Sequence, residues 1–249
     1  MPSILENVRR WKSFDWSARG EEWCTGFGGP DAAWEHTILP RIRAFVPTGH
    51  VLELGPGYGV WTERLRSVSD RMTLVDLAPN CIKFCRKRFG KANMSYHTNN
   101  GRSLSMVELG SIDFVFSFNS LVHADHEVMR EYVRQLGSKM KPGTFGLIHH
   151  SNLGAYETEI GVMDRAYEHW RGRDMTAEKF RNDCRNAGLV CIHQELIPWG
   201  SERFIDTISL FGRPGRGQTF AESSHENPDF WEQARAGDHS AAAWYARPA

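Results

Sequence analysis

Apolar residues beyond position 50 occur in short runs that alternate with stretches of amphipathic, helical spacing. The strand-like runs lie at about 51–54, 72–76, 94–98, 112–118, 144–149, 189–197 and 203–211. The predicted helices cover about 60–67, 79–89, 126–140, 157–170 and 176–187. Alternation of strand and helix is typical of a parallel sheet covered by helices, so the pattern predicts an α/β fold.

The last two strand-like runs, 189–197 and 203–211, follow each other without a helix between them. Such neighbours pair as an antiparallel hairpin, which we expect at the edge of the sheet. The full prediction is a Rossmann-like, seven-stranded and mostly parallel sheet with an antiparallel C-terminal hairpin and helices on both faces. Residues 46–213 are expected to form this domain.

The two ends of the chain differ from this body. Residues 1–45 carry several tryptophans among charged residues and glycines, which predicts a helical lid over the ligand edge of the sheet. Packing of these tryptophans on the sheet, with no role towards a ligand, is an equally good interpretation. Residues 214–249 are polar and punctuated by glycine and proline, which predicts a partly disordered tail with one short helix near 230–236.

Composition narrows the class of partner. The chain has 249 residues, and its 30 Lys and Arg residues balance 30 Asp and Glu residues. No charge excess favours nucleic acid or an anionic membrane, so we expect a small-molecule or glycan acceptor. No apolar run approaches the roughly 20 residues that span a bilayer, and the N-terminus lacks the apolar region of a signal peptide. These features predict a cytoplasmic protein that does not insert into a membrane.

The stretch VLELGPGYG, residues 51–59, ends the first predicted strand with three alternating glycines. In an open α/β sheet, ligands bind beyond the carboxyl ends of the strands. Gly55, Gly57 and Gly59 permit positive φ angles and remove the side chains that would keep a ligand from the backbone. The spacing lacks the third glycine of the dinucleotide fingerprint, which disfavours an NAD-dependent oxidoreductase.

Two acidic residues flank this loop in the predicted sheet. Asp76 ends the second strand, about 20 residues on, where a carboxylate can accept hydrogen bonds from both hydroxyls of a ribose. Glu53 lies inside the first strand, and a charge buried there needs a partner. The ammonium group of a ligand would supply one. The sequence therefore predicts a ligand with a ribose and the charged end of an amino acid.

The segment Glu53–Gly59 together with Asp76 resembles the class I S-adenosylmethionine-dependent methyltransferases, in which E/DxGxGxG closes the first strand and an acidic residue closes the second. The resemblance spans about residues 45–211 and implies S-adenosylmethionine as cofactor and S-adenosylhomocysteine as product. It also implies an adenine contact near Asn99-Asn100-Gly101, where asparagine replaces the commoner acid, although a simple Asn-Gly turn remains an alternative. The expected cofactor contacts are Glu53, Gly55, Pro56, Gly57, Gly59, Trp61, Asp76, Leu77, Asn100, Gly101, Asn119, Trp16 and Trp23.

Histidines follow the fourth and fifth predicted strands, in FVFSFNSLVHADHE and FGLIHHSNLG. An aliphatic hydroxyl has a pKa far above 7, so a neutral imidazole within hydrogen-bond reach is its natural general base. His123 is the first candidate, because its loop borders both cofactor and acceptor. His150 is the second and His149 the third, because adjacent strand residues point to opposite faces and only one can face a substrate.

These two segments and the tryptophan-rich start look like a bacterial group of sugar and glycan O-methyltransferases that carry FSF(D/N)SLVH and HHSNLG. The resemblance implies methyl transfer to a sugar hydroxyl of a glycan, a nucleotide sugar or a glycosylated natural product. Asn119 stands where this group often has Asp, which argues against a carboxylate role at that position.

Other interpretations remain at this point. His123, His126, His149 and His150 with Asp125 could ligate a divalent metal, but no HxH or HxxxH pair occurs among them and Mg²⁺ prefers carboxylates, so a metal is not favoured. The main alternative function is N-methylation of an amino sugar or another secondary metabolite. A non-catalytic cofactor-binding module is a further one. The acceptor and the oligomeric state, a homodimer included, stay open.

Overall fold

The computed structural model describes residues 3–159, 161 and 170–248. These residues contain one sheet of eight strands in the order β3-β2-β1-β4-β5-β7-β6-β8. The strands are β1 Thr48–Leu54, β2 Ser69–Asp76, β3 Met94–Thr98, β4 Ile112–Ser117, β5 Met140–Ser151, β6 Val190–Ile197, β7 Asp206–Arg213 and β8 Ser223–Glu226. Strands β1 to β5 pair in parallel, and β7 pairs antiparallel with both β5 and β6.

The predicted α/β sheet with an antiparallel C-terminal hairpin is confirmed, but the predicted number of seven strands is wrong. An eighth strand, β8, pairs in parallel with β6 from His193↔Ser223 to Leu196↔Glu226. Its sequence, SSHE, has no alternating apolar residues because β8 lies at the sheet edge with most of its side chains exposed. Hydrophobic periodicity therefore gave no sign of it.

Helices cover both faces of the sheet. They are α1 Ile4–Ser13, α2 Pro30–Ala33, α3 Leu39–Ile42, α4 Thr62–Leu65, α5 Pro79–Phe89, α6 His126–Lys139, α7 Ala177–Asn186 and α8 Phe230–Ala236. The predicted helix 60–67 is only a single turn, α4, continued by a 3₁₀ turn, because β2 begins directly at Ser69. The predicted helix 157–170 lies for most of its length outside the described residues.

The core consists of two apolar layers that the strands separate. Along β4, Phe114 and Phe116 enter one layer while Val115 enters the other, as the period of a strand requires. The first layer also receives Ile42 from α3, and the second receives Met129 from α6. Burial of both faces explains why the central strands read as continuous apolar runs.

The strand order reverses direction between β1 and β4. The chain runs outwards from β1 to β3 and returns to place β4 on the other side of β1. The loops that follow β1 and β4 therefore diverge and leave a crevice at the carboxyl edge of the sheet. This edge is where the glycine loop and the first histidine segment lie.

The segment predicted as a polar tail contains β8, α8 and a 3₁₀ turn over Ser240–Tyr245, and Tyr245 is buried. One buried carboxylate hydrogen-bonds to two residues of this segment and to one from the N-terminal part of the chain. Glu195 accepts hydrogen bonds from Arg41 at 2.6 and 2.7 Å, from Asn227 at 2.7 Å and from Tyr245 at 2.7 Å. The division of the chain at residues 45 and 213 stays a prediction.

Glu195 and Arg41 form an ion pair with 0% and 3% of their side chains exposed. Burial alone would raise the pKa of Glu195, but the Arg41 guanidinium and the hydrogen-bond donors outweigh it and lower this pKa to about 2. The carboxylate therefore stays charged. Because each partner is buried, removal of either one leaves an uncompensated charge.

We expect Glu195→Gln to lower the free energy of unfolding by about 3 kcal/mol, because Arg41 then stays buried without its counter-charge. Urea denaturation at about pH 7 measures this difference. Glu226→Gln, on the exposed edge of β8, is the matched control and should change the value by less than about 0.5 kcal/mol. Equal effects of the two substitutions would contradict the assigned role of Glu195.

The same pair makes stability depend on pH. The pKa of Glu195 is lower in the folded state than the value of about 4.3 expected in the unfolded chain. Its contribution is therefore complete above that unfolded value and disappears as the pH falls towards about 2. The stability difference between the wild type and Glu195→Gln should stay constant from about pH 7 to 5 and shrink below about pH 4, as followed by urea denaturation.

Candidate active site

A cavity of ≈ 300 Å³ lies at the carboxyl edge of the sheet, between the loops after β1 and β4. Its walls come from the glycine loop, the end of β2, the segment after β4 and the N-terminal segment. Aromatic rings form much of the lining, and they are Trp11, Phe14, Trp16, Trp23, Tyr58, Trp61, Phe118, Tyr132, Trp170 and Trp199. A concave, largely apolar site with few polar groups is the usual form of a small-molecule site.

The three glycines after β1 have positive φ angles of 69°, 54° and 84°. A Cβ atom on Gly55 would lie 1.8 Å from the hydroxyl oxygen of Ser120, which follows β4. One on Gly57 would lie 3.0 Å from the ring of Trp16. The absent side chains thus let the β4 loop and the N-terminal segment approach the backbone.

Asp76, at the end of β2, lines the cavity and is held by the backbone around it. Its two carboxylate oxygens accept hydrogen bonds from the N–H groups of Gly57 at 3.1 Å and Ala78 at 2.8 Å. Burial raises the pKa of Asp76 to about 6, although these hydrogen bonds act in the opposite direction. Each oxygen keeps a second lone pair with which it can accept a hydrogen bond from a ligand hydroxyl.

Glu53 is buried in β1 and does not line the cavity. Its Oε2 accepts a hydrogen bond from the Thr62 hydroxyl at 2.6 Å, but its Oε1 has no hydrogen-bond partner among the residues that the structure describes. Burial raises the pKa of Glu53 to about 8. A buried acceptor without a partner is costly, and a cationic or hydrogen-bond-donating ligand group would relieve that cost.

The predicted adenine contact divides into two parts. Gly101 lines the cavity, whereas Asn100 is exposed and does not. The Asn100 side chain accepts hydrogen bonds from the N–H groups of Arg102 and Ser103 at 3.1 and 2.9 Å. Asn100 therefore closes a turn, as the alternative interpretation of this segment holds.

His123 ends a 3₁₀ turn after β4 and lines the cavity. Its Nδ1 lies 2.7 Å from the carbonyl oxygen of Trp170. Because a carbonyl only accepts, Nδ1 must carry the proton, which leaves Nε2 as an unprotonated acceptor. Burial, with the nearby Arg171 charge, lowers the pKa of His123 to about 3, so the ring is neutral at physiological pH.

Residues from both sides hold this histidine in place. The Asn7 amide of α1 donates to the His123 carbonyl at 3.1 Å and accepts from the Trp170 indole N–H at 2.8 Å. The Trp11 ring lies 4.9 Å from the imidazole ring. Trp170 has a φ angle of 58°, which is unfavourable for a bulky side chain and persists where surrounding contacts fix the backbone. The orientation of His123 therefore depends on α1 and on Trp170.

His149 and His150 do not line the cavity, and both are fully buried. The ring of His149 accepts from the Asn119 N–H at 3.2 Å and contacts Asp206 at 3.1 Å through its other nitrogen. The nitrogens of His150 contact the Ser151 carbonyl at 2.9 Å and the Ser209 hydroxyl at 2.8 Å. With both nitrogens of each ring engaged, the geometry offers neither histidine as a base for a substrate.

Most of the residues that we expect to contact the cofactor line this cavity. The predicted cofactor residues that line it are Gly55, Pro56, Gly57, Trp61, Asp76, Leu77, Gly101, Asn119, Trp16 and Trp23. Gly59 joins Glu53 and Asn100 outside the lining. Trp16 stacks on Tyr58 with ring centres 4.6 Å apart and donates its indole N–H to the Trp11 carbonyl at 3.0 Å.

Several lining residues have no counterpart in the sequence-based prediction. Arg171 is 4% exposed and pairs with Asp206 through distances of 2.8 to 3.1 Å, and Trp199 packs beside them. Arg10 and Arg19 reach the cavity from the N-terminal segment. Asp206, the partner of Arg171, is distant in sequence, and no described residue forms an ion pair with Arg10 or Arg19, so no local spacing could reveal them. The nearest signal was the excess of tryptophan at the N-terminus.

Over residues 3–159, 161 and 170–248, no group of three or more His, Cys, Asp or Glu side chains is arranged to hold a metal ion. None of the helices described there is both long enough and apolar enough to cross a membrane. The five cysteines are free and buried.

Residues 51–143 match a protein family described as "Methyltransferase domain". The chain is 30% identical over 109 residues to Methyltransferase nsrG of Aspergillus novofumigatus, a match that covers 42% of each protein. It is 27% identical over 103 residues to the Ubiquinone biosynthesis O-methyltransferase of Xanthomonas campestris, covering 41% of this chain and 42% of the relative. These matches span less than half the length of either relative.

Solved structures share the fold. The structure of geranyl diphosphate methyltransferase in complex with S-adenosylmethionine matches with a TM-score of 0.60 at 10% identity. The match covers 73% of this chain and 85% of that one. The matched domain begins at β1 and includes the glycine loop, Asp76 and His123. Residues 51–143 therefore form a methyltransferase domain, and the fold is one that solved methyltransferases share.

Proposed function

We propose that this protein transfers a methyl group from S-adenosylmethionine to a sugar hydroxyl of a glycan, a nucleotide sugar or a glycosylated natural product. His123 is the base that receives the hydroxyl proton. The observation that carries the proposal is the hydrogen bond from His123 Nδ1 to the Trp170 carbonyl, which leaves Nε2 as an acceptor beside the cavity. No described residue bonds to this Nε2.

The residues after β1 and β2 fit the cofactor. Asp76 accepts hydrogen bonds from the ribose hydroxyls, and the glycine loop lets the ligand approach the backbone. The unpaired Oε1 of Glu53 fits a ligand ammonium group, reached directly or through the loop. When bound, S-adenosylmethionine supplies a methyl group activated by its sulfonium. Gly101 and Leu77 also line the cavity and would contact the adenine ring of the cofactor.

The low pKa of His123 is compatible with the role of proton acceptor. A hydroxyl oxygen that forms a bond to carbon becomes a far stronger acid than the free hydroxyl. An imidazole with a pKa of about 3 can take that proton once the bond to carbon is well advanced. The methyl group that S-adenosylmethionine supplies would be transferred to the hydroxyl oxygen, His123 Nε2 would receive the hydroxyl proton, and S-adenosylhomocysteine would be the product.

The aromatic wall supports a sugar as acceptor. The C–H face of a sugar ring packs well on an indole, and Trp11, Trp170 and Trp199 line the cavity with His123. The name of the Xanthomonas relative, an O-methyltransferase, agrees with oxygen as the methyl-accepting atom. The N-terminal segment, which lines the cavity with Trp16 and Trp23, acts in this proposal as a lid over the cofactor.

A screen of acceptors with methyl-labelled S-adenosylmethionine and mass spectrometry tests the proposed reaction. We expect the label in a methyl ether of a sugar, because the cavity combines indole walls with a neutral imidazole. Label on the nitrogen of an amino sugar or of another metabolite would favour the alternative, since an amine needs less help from a base. Binding of S-adenosylhomocysteine without any turnover would point to a non-catalytic module.

We expect Asp76→Asn to weaken binding of S-adenosylhomocysteine by about 10- to 100-fold, because hydrogen bonds from the ribose to a charged acceptor are lost. Isothermal titration calorimetry at about pH 7.5 measures the affinity. Asp70→Asn, at the exposed opposite end of β2, removes the same charge away from the cavity and should have little effect. A wild-type protein that binds NAD in place of S-adenosylhomocysteine would refute the cofactor assignment.

We expect His123→Ala to lower kcat by about 100-fold, the usual scale for loss of a general base, without loss of affinity for S-adenosylhomocysteine. Because burial keeps the pKa of His123 near 3, the ring stays unprotonated and the ratio of wild-type to variant kcat should be constant from about pH 5 to 8. Steady-state kinetics across this range measure both quantities. His97→Gln, on β3 and outside the lining, is the control, and equal rates of wild type and His123→Ala would exclude the proposed base.

A further inference from the structure

The charged side chains of the cavity differ in the partners that they have. Among the described residues, five charged side chains line it, and they are Arg10, Arg19, Asp76, Asp125 and Arg171.

Three of these five side chains already have charge partners or hydrogen bonds that account for them. Arg171 is paired with Asp206. Asp76 accepts from the backbone beside the glycine loop. Asp125 caps α6 by accepting from the Val128 N–H at 2.9 Å. Among the described residues, neither Arg10 nor Arg19 has an ion pair or a side-chain hydrogen bond.

Arg10 is held at the mouth of the cavity by stacking. Its guanidinium carbon lies 4.5 Å from the centre of the Trp170 ring and 5.8 Å from that of Trp11. In the described part of the chain, no carboxylate forms an ion pair with it. Glu6, one turn earlier on α1, bonds instead to Ser3 in the helix cap. Stacking on indole rings orients a guanidinium but leaves its N–H donors available for an anion.

Arg10 lies on the acceptor side of the cavity. It lies over the rings of Trp170 and Trp11, and both residues contact His123: the backbone carbonyl of Trp170 accepts its hydrogen bond, and the Trp11 ring packs beside it. Trp170 also precedes Arg171, whose partner Asp206 begins β7. The glycine loop and Asp76 lie on the other side, after β1 and β2. Arg19, next to Gly20 and its contact with Val60, is closer to that cofactor side.

We propose that Arg10 is an anion-recognition residue and that the methyl acceptor is a sugar carrying a carboxylate or phosphate group. The inference rests on the proposed transfer to a sugar hydroxyl and names the class of sugar. The planar guanidinium, which lies over the Trp170 ring and near the Trp11 ring, binds the anion through paired N–H donors. The hydroxyl to be methylated then lies within reach of Nε2.

Binding of two matched probes tests this inference in protein saturated with S-adenosylhomocysteine. Glucose 1-phosphate and glucose are titrated by calorimetry against the wild type, Arg10→Gln and Arg9→Gln at low ionic strength. Arg9 lies one position earlier on α1, is exposed and does not line the cavity, so its substitution removes the same charge without the contact. We expect the wild type to bind the phosphate at least about tenfold more tightly than glucose.

Arg10→Gln should abolish this preference, and Arg9→Gln should keep it, with the affinity for S-adenosylhomocysteine unchanged in both. Absence of the preference in the wild type, or equal losses in the two variants, would overturn the inference. Weaker S-adenosylhomocysteine binding by Arg10→Gln with an unchanged probe ratio would also overturn it, because Arg10 would then hold the carboxylate of the cofactor.

A third probe separates the inference from the proposed function. Phenyl phosphate carries the anion without the sugar. If phenyl phosphate binds with the same dependence on Arg10 while neither glucose nor its phosphate does, the inference is overturned, because Arg10 then recognises an anionic ligand that is not a sugar. If S-adenosylhomocysteine itself does not bind the wild type, the proposed methyl transfer fails whatever the anion result.

Discussion

The site depends on the contact between two loops that have no room for a side chain between them. Gly55 and Ser120 follow β1 and β4, and a Cβ on Gly55 would overlap the serine hydroxyl at 1.8 Å. The reversal of strand order opens the crevice, and this contact keeps its two walls close. Asp76 and His123 consequently face one cavity although 47 positions separate them in the sequence.

The two halves of the cavity are built by different means. The half that we propose for the cofactor uses backbone geometry: positive φ angles in the glycine loop and N–H groups that hold Asp76. The half that we propose for the acceptor uses residues from distant segments, because Asn7 and Trp170 together fix the position and tautomer of His123. Helix α1 contacts both halves, through Asn7 beside His123 and through Ile4 against Gly101, so variation in α1 would alter both.

The sequence predicted those features that depend on the spacing of nearby residues. Strand and helix alternation, the hairpin and the glycine loop follow from period and spacing, and helix 79–89 agrees with its prediction end to end. The sequence pattern did not predict β8, because an exposed edge strand does not need alternating apolar residues. The pairing of Arg171 with Asp206, and the burial of His149 and His150, depend on contacts across the fold. Neither composition nor spacing carries that information.

The buried carboxylate of Glu195 has a consequence for folding during synthesis. Arg41 and Glu195 leave the ribosome before Asn227 and Tyr245, the two donors that complete their hydrogen bonding. Until residue 245 packs against the sheet, the ion pair between Arg41 and Glu195 is partly exposed and lacks two of its hydrogen-bond donors. A chain that stalls or is truncated after Trp199 but before Asn227 would contain every described residue that lines the cavity. It would still lack both donors and would be a preferred substrate for proteases.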